Sequence, residues 1–187
     1  MKKQILDRGV KARSSRLKGL QVAFAVTGGI ASVETVKIIR ELRRRGAEVT
    51  VFMTPSAARF ITPLSLEWAS TRSVIMEESA DVECLEKYDL LIVAPATLNS
   101  IAKSALGLAD NVVSLLVATQ FGLGSRILFV PTMHSSMLQH PLYGEYCQRL
   151  KNWGAEFLEN AEEEGRMKIP SPIVIADYAE KMARSKK

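Results

Sequence analysis

Cysteine and histidine are scarce in this sequence. Its 187 residues include two cysteines, Cys84 and Cys147, and two histidines, His134 and His140. Two cysteines far apart in the chain supply neither a disulfide framework nor the close ligand pairs of a zinc site, so we predict no metal and reduced thiols in the cytoplasm. A reaction that needs a proton shuttle near neutral pH must use one of the two imidazoles or do without.

Long apolar runs are absent as well. No segment approaches the roughly 18 uninterrupted apolar residues of a membrane-spanning helix. The first residues carry charge without an apolar stretch and a small-residue cleavage site. We therefore expect neither a membrane partner nor a secretory signal.

The net charge of +5 is concentrated at one end of the chain. Residues 1–18 hold seven basic residues and one acidic residue, a net charge of +6, so the rest of the chain sums to −1. Because the basic residues lie outside the main domain, we expect no nucleic-acid partner. We predict a basic N-terminal extension over residues 1–18, solvated or docked on a partner, and a single domain over residues 19–187.

Predicted strands and helices alternate along the chain. Apolar runs predict strands at 21–26, 49–53, 88–93, 126–130 and 155–158. Helical spacing and capping residues predict helices at 32–45, 54–56 onward, 62–68, 98–108, 112–119, 141–153 and 175–184. This alternation predicts an α/β fold with a doubly wound, mostly parallel sheet in three layers.

The predicted helix at 112–119 has no clean polar face. Apolar residues surround Ser114, so the helix must be buried on most sides, either in the core or at an interface. We favour a subunit contact for this helix and expect Asp110 to cap it.

Glycine and hydroxyl residues follow three of the predicted strands. They lie in Thr27–Ala31, in Ala94–Ser100 and in Pro131–Met137. Because the carboxyl ends of parallel strands meet at one edge of a sheet, these loops should lie together, where open α/β sheets bind ligands. Glycine lets backbone approach a ligand and a helix start offers N–H groups to phosphate, so the sequence predicts a phosphorylated cofactor.

The spacing of these residues disfavours a dinucleotide. Gly28-Gly29 does not belong to a Gly-x-Gly-x-x-Gly motif, and Glu48 comes too early for a ribose-binding acid. Thr54 and Ser56 suit a phosphate or ribityl chain, but helix capping explains them equally well, as a plain tight turn explains the glycines. The donors in residues 97–100 favour a cofactor more clearly.

Several motifs, taken in their order and spacing, carry a family resemblance. They are Thr27–Ala31, Thr54, Phe60–Leu66, Ala94–Thr97, Pro131-x-Met133-x-x-x-Met137 and Gly165–Met167. From about Leu20 to Met182 the chain resembles the flavin-containing cysteine decarboxylase family. One branch of that family decarboxylates phosphopantothenoylcysteine in coenzyme A synthesis, and another acts on the C-terminal cysteine of lantibiotic precursors.

The resemblance implies a Rossmann-like or flavodoxin-like domain that binds FMN between subunits of a homotrimer, which often assembles further into a dodecamer. The domain over residues 19–187 would then be a single FMN-binding flavoprotein domain. The residues expected to contact FMN are Gly28, Gly29, Ile30, Thr54, Ser56, Phe60, Thr97, Leu98, Asn99 and Ser100. The residues expected to contact a small-molecule substrate are Met133, His134 and Arg166.

Two positions depart from the family pattern. Counting back without gaps from Asp89, the family's catalytic histidine falls at Asp81, and its substrate-carboxylate asparagine falls at His134. At about 4 Å and an effective dielectric near 20, an ionised Asp81 would repel an anionic substrate by about 4 kcal/mol, unless burial raised its pKa. We hypothesise that Asp81 and His134 are the catalytic pair, with His134 supplying the imidazole; the alternative is that His134 merely caps its turn.

The segment before Gly165 also departs from the phosphopantothenoylcysteine branch, which has a cysteine there. Four glutamates lie between residues 159 and 164, and they suit a phosphate-bearing anionic substrate poorly. We favour a solvated acidic loop over acid–base chemistry for them, and Arg166 remains a candidate clamp for a carboxylate or phosphate.

Several functions are compatible with these residues. We lean towards an enzyme, an FMN-dependent lyase-type decarboxylase or oxidoreductase with altered substrate chemistry. The alternatives are a flavin-dependent reductase or electron-transfer protein, and a non-catalytic flavin-binding subunit. Flavin prenyltransfer, known on a related scaffold, fits less well, because the first loop reads Thr-Gly-Gly-Ile where that branch is expected to have Thr-Gly-Ala-Ser.

Overall fold

A computed structural model describes residues 8–77, 83–160 and 162–184 and shows a six-stranded parallel sheet. Its strands are β1 (Gln21–Val26), β2 (Glu48–Met53), β3 (Val74–Ile75), β4 (Leu90–Ala96), β5 (Arg126–Pro131) and β6 (Glu156–Phe157). They lie side by side in the order β3-β2-β1-β4-β5-β6, and every neighbouring pair is parallel. The predicted doubly wound α/β fold is confirmed.

Helices cover both faces of this sheet. They are α1 (Thr35–Arg44), α2 (Pro63–Ser70), α3 (Leu98–Leu106), α4 (Val112–Gly122), α5 (Ser135–Leu138), α6 (Tyr143–Asn152) and α7 (Pro172–Arg184). Helices α1, α2 and α7 share one apolar cluster with the sheet, and α3, α4 and α6 share the other. Single 3-10 turns lie at Ile30–Glu34, Ala57–Arg59 and Glu83–Leu85, and a small hairpin is formed by β7 (Glu162–Glu163) and β8 (Arg166–Met167).

The strand order reverses between β1 and β4. The chain runs outward from β1 through β2 to β3 and then returns to place β4 on the other side of β1. The loops after β1 and β4 therefore diverge and leave a crevice, which is the usual ligand position of such sheets. The buried Thr27 hydroxyl, in the loop after β1, donates to the carbonyl of Pro95 near the end of β4 at 2.6 Å and joins the two sides of this crevice.

Strand β4 extends beyond residue 93, where the sequence predicted its end, and passes through Pro95. The strand continues to Ala96, and its register against β5 shifts between Val93 and Ala96. A proline lacks the N–H that a regular ladder requires, and an irregularity of this kind accommodates it. The expected helix after Thr54 is likewise reduced to a single 3-10 turn over Ala57–Arg59.

One of the two expectations for α4 is wrong. Asn111 caps this helix, because its side chain accepts from the backbone N–H groups of Val113 and Ser114, both at 3.1 Å. The helix is also buried within a single chain, where Leu116 and Val117 pack in the cluster with α3 and α6. A core position is therefore sufficient to explain the absence of a polar face, and a subunit contact of α4 stays a prediction.

The described part of the basic extension lies against the domain. Leu17 is fully buried, and the Arg13 backbone N–H donates to the Arg44 carbonyl at 2.7 Å. Arg13 pairs with Glu41 at 3.0 Å, and Arg16 pairs with Glu180 at 3.1 Å. Leu17 and these contacts anchor the stretch to the domain, while most of its residues, including Arg13 and Arg16, are exposed. A domain boundary at residue 18 stays a prediction.

Candidate functional site

A cavity of about 1060 Å³ opens at the carboxyl edge of the sheet. The turns after β1, β2, β4 and β5 contribute to its wall, together with the starts of α3 and α4 and the hairpin. The predicted site residues that line it are Gly28, Gly29, Ile30, Thr54, Ser56, Thr97, Leu98, Asn99, Ser100, Met133, His134 and Arg166. Residues scattered over nearly 140 positions of the chain are thus brought to one place.

Gly28 lets the first two turns approach each other closely. A Cβ built on Gly28 would lie 2.7 Å from the Ser56 Cβ and 2.5 Å from its hydroxyl oxygen. At Gly29 the nearest atom to such a Cβ is the Thr97 methyl carbon at 3.8 Å, an ordinary contact. A side chain is therefore excluded at position 28 but not at position 29, and the glycine pair brings backbone to the cavity wall.

The hydroxyl groups of Thr54 and Ser56, which follow β2, bond within their own turn and also face the cavity. Thr54 Oγ1 lies 3.0 Å from the Ser56 hydroxyl and accepts from the Ala57 backbone N–H at 3.3 Å. The second bond holds the N–H of Ala57, the first residue of the following 3-10 turn, whereas the N-cap residue Ser56 makes no side-chain capping bond. Both residues also line the cavity, so the two explanations from the sequence are compatible.

Helix α3 begins at the cavity wall. Thr97 is its N-cap: the hydroxyl accepts from the Ser100 backbone N–H at 3.3 Å and lies 2.9 Å from the Ser100 hydroxyl. The backbone N–H groups of Leu98 and Asn99 fall in the first turn, where a helix supplies no acceptors of its own. This end of α3 suits an anionic or carbonyl oxygen.

The start of α4 adds polar residues that the sequence analysis did not assign to the site. Asn111 and Ser114 line the cavity and cap the helix reciprocally, since the Asn111 backbone N–H donates to the Ser114 hydroxyl at 3.0 Å. Lys103 also lines the cavity and pairs with Asp110 at 2.5 Å, which lowers the pKa of that carboxyl. A capping box before an apolar run is a recognisable sequence signal for this corner.

The hairpin and the loop after β5 are joined by backbone hydrogen bonds. The Ser135 N–H donates to the Gly165 carbonyl and the Met167 N–H donates to the Met133 carbonyl, both at 2.9 Å. His134 and Arg166 are directly opposite each other in this antiparallel bridge, and both line the cavity. His134 also caps α5, as the alternative to a catalytic role expected.

Two predicted site residues remain, Phe60 and Asp81. Phe60 is 44% exposed and lies outside the cavity lining of the described chain. Asp81 lies outside the described residues. A contact between Phe60 and FMN and a catalytic role of Asp81 stay predictions.

The strand order and the crevice at the reversal define a Rossmann-like ligand-binding domain. A sequence profile of the Flavoprotein family matches residues 10–183, and the chain belongs to that family. The resemblance found in the sequence motifs is confirmed at this level.

Curated relatives share part of their length with this chain. The coenzyme A biosynthesis bifunctional protein CoaBC of Thermococcus kodakarensis is 40% identical over 166 residues, which cover 85% of this chain and 41% of the relative. The CoaBC protein of Methanocaldococcus jannaschii is 34% identical over 161 residues, covering 84% of this chain and 39% of the relative. The chain thus spans about two fifths of the length of these relatives.

Solved structures share the fold. MrsD from a Bacillus species has a TM-score of 0.81 at 22% identity, with 91% of this chain and 99% of that chain covered. A PPC decarboxylase mutant complexed with pantothenoylaminoethenethiol has a TM-score of 0.77 at 19% identity, with 90% and 100% covered. Among the described residues no helix is long and apolar enough to cross a membrane.

Proposed function

We propose that this protein binds FMN in the cavity at the carboxyl edge of its sheet. The observation that carries the proposal is the convergence of four strand-end turns on one cavity of about 1060 Å³. Cofactor sites occupy about 300–1,000 Å³ and are mostly apolar with a few polar groups, so this cavity has room for FMN and a small substrate beside it. Membership of the Flavoprotein family supports the same cofactor.

The lining residues fit the parts of FMN. The hydroxyl groups of Thr54, Ser56 and Thr97 and the first turn of α3 would hold the phosphate and ribityl chain. Apolar side chains that line the cavity would contact the flat ring; they are Ile30, Val93, Leu98, Val113, Val117, Met133, Met137 and Met167. The absence of a Cβ at Gly28 and Gly29 keeps backbone at the cavity wall, where a larger residue at position 28 would clash with Ser56.

We further propose an FMN-dependent enzyme that acts on a small thiol carrying a carboxylate. Bound FMN would supply reversible two-electron oxidation and reduction. Met133, His134 and Arg166, which share one end of the cavity wall, would contact the substrate. The names of the coenzyme A relatives and of the PPC decarboxylase neighbour support a cysteinyl-like substrate.

A homotrimer, or a larger assembly of trimers, is proposed for the whole molecule. Exposed apolar side chains in the segments that follow the adjacent strands β1 and β2, up to the first turn of α2, support a subunit contact; they are Ile30, Val33, Phe60 and Leu64. Light scattering coupled to gel filtration measures the assembly, and a monomer at micromolar concentration would contradict it. The cysteines, which are buried thiols, agree with the proposed location in the cytoplasm.

The flavin proposal is tested by the absorption spectrum of the purified protein. We expect flavin bands, and FMN as the cofactor released on denaturation. Calorimetric titration of cofactor-free protein with FMN should give saturable binding, with riboflavin as the control that lacks the phosphate. A colourless protein that ignores added FMN would reject the proposal.

The activity is tested separately on FMN-loaded protein. Incubation with phosphopantothenoylcysteine should release carbon dioxide if this protein still catalyses the decarboxylation of that family with aspartate at position 81 and histidine at position 134. If no carbon dioxide is released at high enzyme concentration, phosphopantothenoylcysteine is rejected as the substrate. FMN binding is decided separately by the spectroscopic test.

A further inference from the structure

The described part of the basic extension runs along α1. Arg40 of this helix donates to the Gly9 carbonyl at 3.1 Å. Arg43 donates to the Arg8 carbonyl, also at 3.1 Å. The exposed cations of the extension are thus held next to the domain and form one surface, named the basic face; they are Arg8, Lys11, Arg13, Arg16 and Lys18. The expectation of no nucleic-acid partner assumes that these charges lie outside the domain, and the packing against α1 removes this reason.

Positive charge dominates this part of the chain. Residues 8–45, which include the described extension and α1, contain ten lysines and arginines and two glutamates, a net charge of +8. Residues 46–187 sum to −4. The carboxylates that pair with these ten cations in the described chain are Glu34, Glu41, Asp177 and Glu180. The cations therefore outnumber their partners, and the surplus charge lies on one side of the molecule.

Three cations of the basic face make no ion pair within the described part of the chain. Arg8, Lys11 and Lys18 are exposed and belong to none of the ion pairs found there. Beside them, burial and the nearby charge of Arg40 lower the pKa of Arg43, so like charges are crowded at this surface. A concentration of one sign of charge attracts a polymer of the opposite sign.

The other two cations of the basic face are held in place by buried carboxylates. Arg13 donates through one terminal nitrogen to Glu41, and Arg16 donates in the same way to Glu180. Both carboxylates are buried, whereas the two arginine side chains are 55% and 58% exposed. A guanidinium has five N–H donors, so donors of both side chains remain for a ligand. Because the side chains are already ordered, a phosphate contact costs less entropy.

The surroundings of the basic face favour a nucleic-acid duplex over a membrane or a single strand. In the described chain, the large exposed apolar side chains lie outside residues 8–18 and outside α1, so this surface has no anchor for lipid. Trp68 lies beside α1, but Arg40 covers a face of its ring, with the guanidinium carbon 4.2 Å from the centroid. Single strands are held largely by stacking on aromatic rings, whereas the backbone of a duplex is held by cations.

We propose that the basic face binds the phosphate backbone of a nucleic-acid duplex without reading its sequence. Arginine donors match phosphate oxygens, and three of the five cations are arginines. Binding of this kind has a dissociation constant of about 10⁻⁴–10⁻⁶ M at physiological salt. The basic face does not line the cavity, so the proposal goes beyond the proposed function and is independent of FMN.

The salt dependence of binding tests the mechanism. Fluorescence anisotropy of a short labelled DNA duplex, titrated with FMN-loaded protein, measures the association constant. If five side chains neutralise five phosphates, the logarithm of this constant should fall with the logarithm of salt concentration with a slope of about −4.5. This slope is a loss of about 500-fold between about 50 mM and 200 mM salt. Two duplexes of unrelated sequence should bind within about threefold of each other.

A pair of double variants tests the location. Arg8→Gln with Lys11→Gln removes two exposed cations, and we expect at least tenfold weaker binding and a slope less negative by about 2. The matched control, Lys87→Gln with Lys151→Gln, removes the same charge from exposed positions outside the basic face. It should bind within about threefold of the unmodified protein, because salt screens charges away from the contact. Circular dichroism and the flavin spectrum check that both variants fold alike.

Competing partners and the control decide the outcome. Vesicles of phosphatidylserine and phosphatidylcholine, and a single strand of the same sequence, should each bind at least tenfold more weakly than the duplex at equal phosphate concentration. The proposal is overturned if either binds as tightly as the duplex, if the control variant loses as much affinity as the variant of the basic face, or if the duplex does not bind at about 50 mM salt. Failure to bind FMN would reject the proposed function alone, since the same titration can be made with cofactor-free protein.

Discussion

Gly28 and Gly29 are adjacent in the sequence but differ in what they require. At Gly28 any side chain meets Ser56 well inside van der Waals distance, whereas at Gly29 an added Cβ makes only ordinary contact with Thr97. Packing across two loops, and not the conformation of the chain, therefore demands a glycine at position 28.

The Gly28→Ala substitution is expected to lower the free energy of unfolding by about 1–3 kcal/mol, the usual cost of overpacking. It should also weaken FMN binding at least tenfold, because the Ser56 turn must move. The matched control Gly29→Ala should change stability by less than about 0.5 kcal/mol. Urea unfolding and FMN fluorescence titration measure both effects, and equal destabilisation by the two variants would contradict the packing argument.

Burial shifts the pKa of Tyr88, a residue that does not line the cavity. Its ring packs edge-on against Phe52 with centroids 5.9 Å apart, and its hydroxyl donates to the Glu83 carbonyl at 3.2 Å. Burial raises the pKa of Tyr88 to about 12, and the nearby carboxylate of Glu86 adds to this shift. The folded protein therefore favours the neutral phenol.

A pH dependence follows with a defined sign. Because the folded pKa lies above the unfolded value of about 10, the contribution of Tyr88 to stability is complete below pH 10 and is lost as the pH rises towards 12. Tyr88→Phe should therefore show a shallower loss of stability than the unmodified protein, by about 1.4 kcal/mol per pH unit at most. Urea unfolding from pH 9 to pH 11.5 measures the slopes, and identical slopes would show that Tyr88 does not titrate in this way.

Buried charges join three elements on the face of the sheet that α1 and α7 cover. Arg45 donates to Glu41 at 3.2 Å and to Glu180 at 3.0 Å, and both carboxylates are buried. Burial alone would lower the pKa of Arg45, but its hydrogen bonds to Asp177 and Glu41 outweigh this and raise it. Arg13 and Arg16 bring the N-terminal segment to the same carboxylates.

Replacing Arg45 should lower the free energy of unfolding, because buried carboxylates lose a cation. Arg45→Met leaves two buried carboxylates with fewer cations, and breaking a buried pair costs about 3–5 kcal/mol. We expect the lower end, about 3 kcal/mol, because Arg13, Arg16 and Arg44 still reach the carboxylates. The control Lys37→Met removes the exposed pair with Glu34 and should cost less than about 1 kcal/mol. Chemical unfolding measures the free energy of unfolding of both variants. A similar decrease in the two variants would refute a special role for Arg45.

Elements with strong local signals were predicted well. The strand β1, the helix α1 and its basic last turn follow from an apolar run and helical spacing. The cap of α4 was misassigned by one residue, because Asp110 and Asn111 are both good caps and the choice depends on which side chain faces the first turn. The hairpin of β7 and β8 was not predicted, since two-residue strands are held by contacts with the loop after β5.

The whole molecule should respond to its proposed cofactor by mass action. A ligand that binds the folded state alone stabilises it by about 2.7 kcal/mol at 100 times its dissociation constant. FMN at that excess should therefore raise the thermal midpoint by several degrees, whereas riboflavin at equal concentration should raise it less. Thermal unfolding of cofactor-free protein measures the shift, and an unchanged midpoint would count against FMN binding.

The sequence alone determined the alternation of strands and helices, and hence the class of fold and the edge of the sheet where a ligand binds, because local periodicity and turn residues are sufficient for both. It also identified most of the cavity lining through short motifs. The tertiary structure decided which groups face one another: the contact of Gly28 with Ser56, the buried ion pairs of Arg45, and the opposition of His134 and Arg166. These depend on distances between segments far apart in the chain, which no local pattern encodes.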